Sequence, residues 1–373
     1  MSKKKVCIIG AGVAGLAAVK HSLDEGMEPV CFEKDDEVGG LWNYHSKPKD
    51  GDPSIYNSCS INTSKEMTCY SDFPIPKEFP NFMAHRHFKR YLQLYADNFK
   101  LRNYIKLQHC IEKVQKADDF SESGKWVVTY KNLVNNKSRK DIFDCVMVCN
   151  GHLHEPNKPT FKGLDKFKGQ VLHTHDYKDF RGFEGKRILV VGIGNSAADV
   201  ASELSPPNGK FGLSVVTISD DLPTRILYGT ITIKPDVKEF THSGVSFEDG
   251  SKVDNLDVVI LATGFKFSFP FLDDSIVRIE NHFPYLHELV FPVDLHPATI
   301  AIIGLVQPFG SLPPILEMQT RWAARVFSGN CKLPPTSVMT SMANKKHEFL
   351  KRHFPDRLLF IFYCIQCNFS FKP

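Results

Sequence analysis

At 373 residues, with 42% hydrophobic and 24% charged residues, the chain has the length of two domains and an ordinary globular composition. A formal net charge of +4, with no basic stripe interleaved with aromatics, argues against a nucleic-acid partner. Ten scattered cysteines match neither a disulfide framework nor a zinc site and suit a reducing compartment.

Lys3-Lys4-Lys5 before the apolar run Val6 to Val19 can be read as a secretory leader. A strand entering a glycine turn and an apolar helix gives the same pattern. Gly10-Ala11-Gly12-Val13-Ala14-Gly15 is a complete G-x-G-x-x-G and favours the second account. The expected elements are a strand Val6 to Ile9, a helix Leu16 to Leu23 stopped at Glu25-Gly26, and a second strand Pro29 to Phe32. Glu33 then stands about twenty positions past the glycines, where a ribose 2′-OH needs an acceptor. A solvated carboxylate at a strand end is the bland alternative. Glu37-Val-Gly39-Gly40-Leu41-Trp42 follows, its paired glycines permitting close backbone approach.

Ile61-Asn62-Thr63-Ser64 through Met67 reads as a polar loop in which Asn62 is by default a turn residue. Phe88 to Phe99 has helical periodicity, and Trp126 to Tyr130 with Asn135-Asn136 suggests a β-hairpin arm. Arg187 to Val191 is an apolar strand that turns at Gly192-Ile-Gly194-Asn195-Ser196-Ala197 into an Ala-rich helix, Ala197 to Leu204. Gly192 permits the tight turn, Gly194 lets the backbone approach a pyrophosphate, and Ala197 lets helix and strand pack closely. The helix N-terminus presents unpaired N–H groups to the phosphates. Alone, such a turn also occurs in any α/β sheet. Two segments echo each other: Asp144-Cys-Val-Met-Val-Cys-Asn-Gly151 and Asp257-Val-Val-Ile-Leu-Ala-Thr-Gly264. Each closes the unit opened by one fingerprint.

Phe167-Lys-Gly169-Gln-Val-Leu-His173-Thr-His-Asp-Tyr177 fits F-x-G-x-x-x-H-x-x-x-[YF] and lies directly upstream of the Gly192 turn. That pairing resembles the flavin-containing monooxygenases of the microsomal dimethylaniline type. His173 has no derived chemical role; fixing a loop between two domains is its plainer reading. The resemblance implies an α/β fold of two dinucleotide-binding, Rossmann-like domains, the nicotinamide domain inserted into the FAD domain. The expected boundaries are 1–155 and 298–335 for FAD, 156–297 for nicotinamide, and a divergent tail 336–373. FAD would use Gly10 to Gly15, Glu33, Gly40, Leu41, Trp42, Asn62 and Thr63. NADPH would use Gly192, Gly194, Asn195, Ser196, Ala197, Ala198 and Asp199. Asn62 matches an Asn that in the family faces the reactive edge of the flavin, and Ser71-Asp-Phe-Pro74 follows the family pattern too.

By resemblance, NADPH reduces FAD, O₂ adds at the flavin C4a position, and the hydroperoxide passes oxygen to a small-molecule amine or sulfide. A ketone could instead undergo Baeyer–Villiger insertion. No general base or metal is required. The resemblance further implies the cytoplasmic face of the endoplasmic reticulum membrane; the tail reads as an interfacial anchor or a poorly packed end, and the chain is expected in the cytosol if the tail does not anchor. Leu358 to Ile365 is too short to span a bilayer.

The pattern breaks in two places. Relatives continue past Leu204 through a large insertion, whereas Ser205-Pro206-Pro207-Asn208-Gly209 leads by a short strand, Leu213 to Ile218, to Asp220-Asp221-Leu222-Pro223. Ser219-Asp220-Asp221 stands where the family carries a basic residue for the 2′-phosphate. Resemblance is expected to fade after Ser337. Three readings follow: a working monooxygenase, a leaky NAD(P)H oxidase, or a catalytically silent flavoprotein scaffold. A disulfide reductase is disfavoured, because the one C-x-x-C, Cys364 to Cys367, is remote from the FAD motifs.

Overall fold

The computed structural model describes residues 3–49, 51–205, 211–212, 221–280, 283–306 and 310–353. Leu213 to Ile218, Lys210, Ser219-Asp220 and the run 358–365 with Cys364 and Cys367 lie outside them. The chain divides into two compact units, each built on its own parallel sheet.

The first unit comprises residues 1–43, 63–152 and 267–373. Its five parallel strands run in the order Ile300–Ile302, Cys145–Val148, β1 (Lys5–Ile9), β2 (Glu28–Phe32) and Ile105–Lys106. β1 reads as a continuous apolar run because a parallel sheet is buried on both faces. Helix α1 (Val13–Asp24) lies against the helix Pro313–Ser328, where His21 Nδ1 meets Thr320 Oγ1 at 2.9 Å.

The opposite face is covered by the arm, an antiparallel sheet of His109–Lys116, Trp126–Asn132 and Lys137–Phe143. Trp126, Val128, Tyr130 and Phe143 pack from the arm onto Cys7, Ile9 and Phe32. Each large side chain so buried contributes about 1.5–3 kcal/mol. The Trp126 indole N–H is not lost by burial, since it donates to Thr299 Oγ1 at 2.9 Å.

The second unit comprises residues 44–62 and 153–266. Its strands run in the order Ile231–Thr232, Phe211–Gly212, Ile188–Val191, Val258–Leu261 and Gln170–His173, all parallel. The echo between the two closing segments extends to individual hydrogen bonds. Asp144 accepts the Lys5 amide at 2.7 Å, and Asp257 accepts the Arg187 amide at 2.8 Å. In each unit the acid pins the start of the fingerprint strand, at Lys5 in β1 and at Arg187 just before Ile188.

Three expectations change. Residues 267–297 belong with the first unit rather than the second: Phe271 O accepts the Val114 amide at 2.8 Å, and Phe271 and Leu272 join the arm's core. Residues 44–62 group with the second unit, where the Asn57 amide donates to Lys178 O at 2.8 Å. The loop at Asn62 continues into a short helix, Lys65–Thr68, because Ser64 caps it by accepting from the Met67 amide. In the tail, where the sequence reading names no element over 336–353, Thr336–His353 is a helix whose Met339 and Ala343 pack on Tyr285 and Val293.

Candidate cofactor sites

The first site is the turn from β1 into α1. Gly10 has φ +97°, and a Cβ there would lie 2.6 Å from Cys149 O. At Gly15 a Cβ would lie 1.8 Å from Gly10 O, so this glycine is what lets helix and strand approach. Gly12 differs. Its hypothetical Cβ meets nothing closer than Gly40 Cα, at 3.5 Å, and its φ is −78°. The protein itself therefore leaves room at Gly12, beside the first residue of Gly40–Trp42, a single 3₁₀ turn. No side chain caps α1, so the amides at Val13, Ala14 and Gly15 open a helix N-terminus suited to an anion.

Glu33 is not a solvated strand-end carboxylate. It is 5% exposed, and it accepts the Ala11 amide at 2.6 Å and the Asp35 amide at 2.9 Å. Burial pushes its carboxyl up from the usual range while the two amides pull it down. A carboxylate has about four lone-pair sites, so room remains for a hydroxyl donor. Ala11 thus contributes through Glu33, since its amide is already engaged.

The Gly39 amide donates to Ala11 O at 3.0 Å and ties the second glycine segment to the first. Leu41 and Trp42 are half-buried, and Trp42 stands edge-on to Phe88 at 4.9 Å. Asn43 Nδ2 donates to Asp35 Oδ2 at 2.8 Å and to Glu37 O at 3.0 Å. That amide organises the turn, and sequence reasoning passed over it. Asn62 is exposed, and Thr63 Oγ1 is 2.8 Å from Thr68 Oγ1. Ser71 and Asp72 hold the fold: Ser71 Oγ donates to the buried Glu317 at 2.5 Å, and Asp72 pairs with Lys20 at 2.8 Å.

The second site repeats the first. Gly192 has φ +140°, and a Cβ there would lie 2.2 Å from Ala262 O. The helix Asn195–Leu204 begins after Gly194 with no side-chain cap. Asn195 is exposed and Ser196 half-buried, whereas Ala197 and Ala198 are fully buried and serve packing. Asp199 accepts from Tyr56 Oη at 2.5 Å, and Glu203 accepts from Ser58 at 2.7 Å and Tyr177 at 3.0 Å. Burial raises the Asp199 carboxyl, and the Tyr56 hydroxyl partly offsets this. Tyr56 and Ser58 come from far upstream, and no local pattern announces them.

His173 is a structural residue. It is fully buried at the end of Gln170–His173, edge-on to Phe265 at 5.2 Å, and its Nδ1 accepts the His175 amide at 3.0 Å. Burial lowers its ring to about 4. Gly169 is equally constrained, because a Cβ would lie 2.5 Å from Asp257 O.

A family profile described as flavin-binding monooxygenase-like matches residues 3–217 and 206–360. The chain belongs to that family. This monooxygenase is 40% identical to rat dimethylaniline monooxygenase [N-oxide-forming] 2 over 414 residues, covering 92% of this chain and 77% of the relative. It is 40% identical to rat flavin-containing monooxygenase 5, covering 95% and 79%. Among solved structures it resembles S-allyl-L-cysteine S-oxygenase from Allium sativum, with a TM-score of 0.82 and 26% identity over 94% of this chain and 83% of that one. Tmm from Pelagibacter sp. strain HTCC7211 gives a TM-score of 0.78 and 28% identity over 92% and 80%. An alignment of 414 residues exceeds this chain's 373, so the relative holds internal residues that this monooxygenase lacks. The two profile matches meet at residues 206–217, the point where the sequence suggests shortening. Family similarity runs on to residue 360, beyond the expected fading after Ser337.

Proposed function

We propose that this flavin-dependent monooxygenase binds FAD at the Gly10 turn and NADPH at the Gly192 turn, and oxygenates soft nucleophiles, small amines or sulfides. The observation that carries the reading is the duplicated site: two glycine turns, each running into an uncapped helix and each closed by an aspartate-led strand. The N-oxide-forming and S-oxygenase names of the relatives support nitrogen and sulfur as acceptors.

The residues fit these cofactors. Gly12 leaves backbone room for a pyrophosphate, the amides of α1 face it, and Glu33 is held ready for a ribose hydroxyl. Gly194 and the helix after it offer the same arrangement to the nicotinamide coenzyme. When bound, the flavin supplies the redox chemistry, taking hydride from the coenzyme and activating O₂. The chain's own part is binding, orientation and exclusion of water, and the family resemblance assigns Asn62 to the reacting edge of the flavin. No helix among the described residues is long and apolar enough to cross a membrane.

The test is a flavin absorption spectrum of the purified protein, then NADPH consumption with and without a tertiary amine. Colourless protein that cannot be reconstituted with FAD would overturn the reading. A second reading, an oxidase that releases hydrogen peroxide, is favoured by the break at 206–217, because relatives carry further chain there. Amine-independent NADPH consumption with stoichiometric peroxide would identify it.

A further inference from the structure

The arm carries a cleft that the cofactor sites do not use. It has a volume of about 320 Å³ and opens between the edge strand Ile105–Lys106 and the hairpin of the arm. Lys106, Lys137 and Arg139 converge on it, and among the described residues no carboxylate lines it. None of the three cations forms an ion pair among the described residues.

Their placement is fixed by the sheet. Asn132 pairs with Lys137 and Tyr130 with Arg139, so the alternation of the strand puts both cations on one face. Lys106 Nζ lies 5.2 Å from the ring centres of both Phe32 and Tyr130 and is held there as a cation over two aromatic faces. The floor is ordered by hydrogen bonds. His109 Nδ1 lies 2.7 Å from Leu107 O and its Nε2 lies 3.1 Å from Asn132 Nδ2. Asn132 Oδ1 accepts the Val134 amide at 2.9 Å and the Asn135 amide at 3.2 Å, which shapes the hairpin loop. Asn135 Oδ1 accepts the Lys137 amide at 3.0 Å, which orients its Nδ2 donor at the rim. Asp141, two residues past Arg139 on the same strand face, accepts from Tyr130 Oη at 3.0 Å and is not among the lining residues.

The geometry points to a binding site for a compact phosphomonoester anion in this cleft. Three cations that line one cleft, with no carboxylate among its described lining residues, repel one another, and a bound anion relieves all three at once. A phosphomonoester carries nearly two charges and three acceptor oxygens, which matches three cations better than the single charge of a carboxylate does. The cleft is also larger than bare phosphate requires, leaving space for the esterified group. That group could belong to a soluble metabolite or to a lipid headgroup.

The experiment uses FAD-loaded protein saturated with NADP⁺, so that both pyrophosphate sites are filled. Inorganic phosphate is titrated by calorimetry against the wild type, the double variant K137E/R139E, and Lys106→Met. Lys106→Met keeps the stem over Phe32 and Tyr130 but removes the charge. In parallel, co-sedimentation is measured with vesicles of phosphatidylcholine containing phosphatidic acid. Phosphate binding that weakens about tenfold or more in both variants supports the site and a soluble ligand, given two lost charge-assisted contacts in the double variant. Vesicle binding lost in both variants, with little response to free phosphate, supports the site and a lipid source. Lys137 and Arg139 are exposed, so flavin content and flavin reduction by NADPH should stay unchanged. Equal binding by wild type and K137E/R139E in both arms overturns the proposal.

Discussion

Two glycines of the first fingerprint should separate when each is changed to alanine. In Gly15→Ala the new methyl would lie 1.8 Å from Gly10 O, so helix and strand must part by more than an ångström. Overpacking of that kind costs about 3 kcal/mol or more. In Gly12→Ala the methyl has only an ordinary contact, 3.5 Å to Gly40 Cα, and φ is −78°. Exchanging an N-cap glycine for alanine there costs about 0.5–1 kcal/mol. The methyl does, however, stand on the Gly12 backbone that the pyrophosphate is proposed to approach. Flavin affinity should therefore fall at least about tenfold, equivalent to about 1.4 kcal/mol. Urea denaturation of the apoprotein reads the first quantity, and flavin absorbance after reconstitution reads the second. Gly15→Ala should lose both stability and flavin, and Gly12→Ala should lose flavin alone. A Gly12→Ala protein with undiminished flavin affinity would show that the cofactor does not approach this turn.

Other outcomes follow from the same geometry. Flavin reduction should favour NADPH over NADH only several-fold, because an exposed charge pair contributes about 1 kcal/mol or less and no basic residue follows the strand here. Arg225 already donates to Ser205 O at 2.8 Å; a strong NADPH preference would mean that its other donors reach the phosphate. Asn62→Ala should reduce oxygen transfer to a saturating thioether more than it reduces flavin reduction, measured as peroxide released per NADPH consumed. Near-complete transfer by the wild type would refute the expectation that the shortened 206–217 region leaks peroxide. His173, buried and lowered to about 4 from 6.5, should make the second unit acid-sensitive. The unfolded chain takes that proton first, so a contribution fully present above pH 6.5 is lost as pH falls toward 4, about 3 kcal/mol in all. His173→Asn keeps an acceptor for the His175 amide and cannot be protonated; an unaltered acid midpoint would rule out this assignment.

The glycine turns, the strands before them and the helices after them were legible because their causes are local. A positive φ at Gly10 or Gly192, and a neighbour within 3 Å of a missing Cβ, dictate the residue whatever lies further away. Glu33 was legible for the same reason, as a strand-end acid at a set distance from the turn. The echo of Asp144 and Asp257 was visible as spelling, although only the sheet gives each acid its amide. Packing over long separations decided the rest. Tyr56 reaches Asp199 across 143 residues, and Ser71 reaches Glu317 across 246. Neither pair leaves a periodic trace that would join its two residues. The helix Thr336–His353 was missed because it is mostly polar and spends only Met339 and Ala343 on the core. The domain edge near residue 267 moved because it depends on which core Phe271 and Leu272 join, a choice made by the arm's surface rather than by their own sequence.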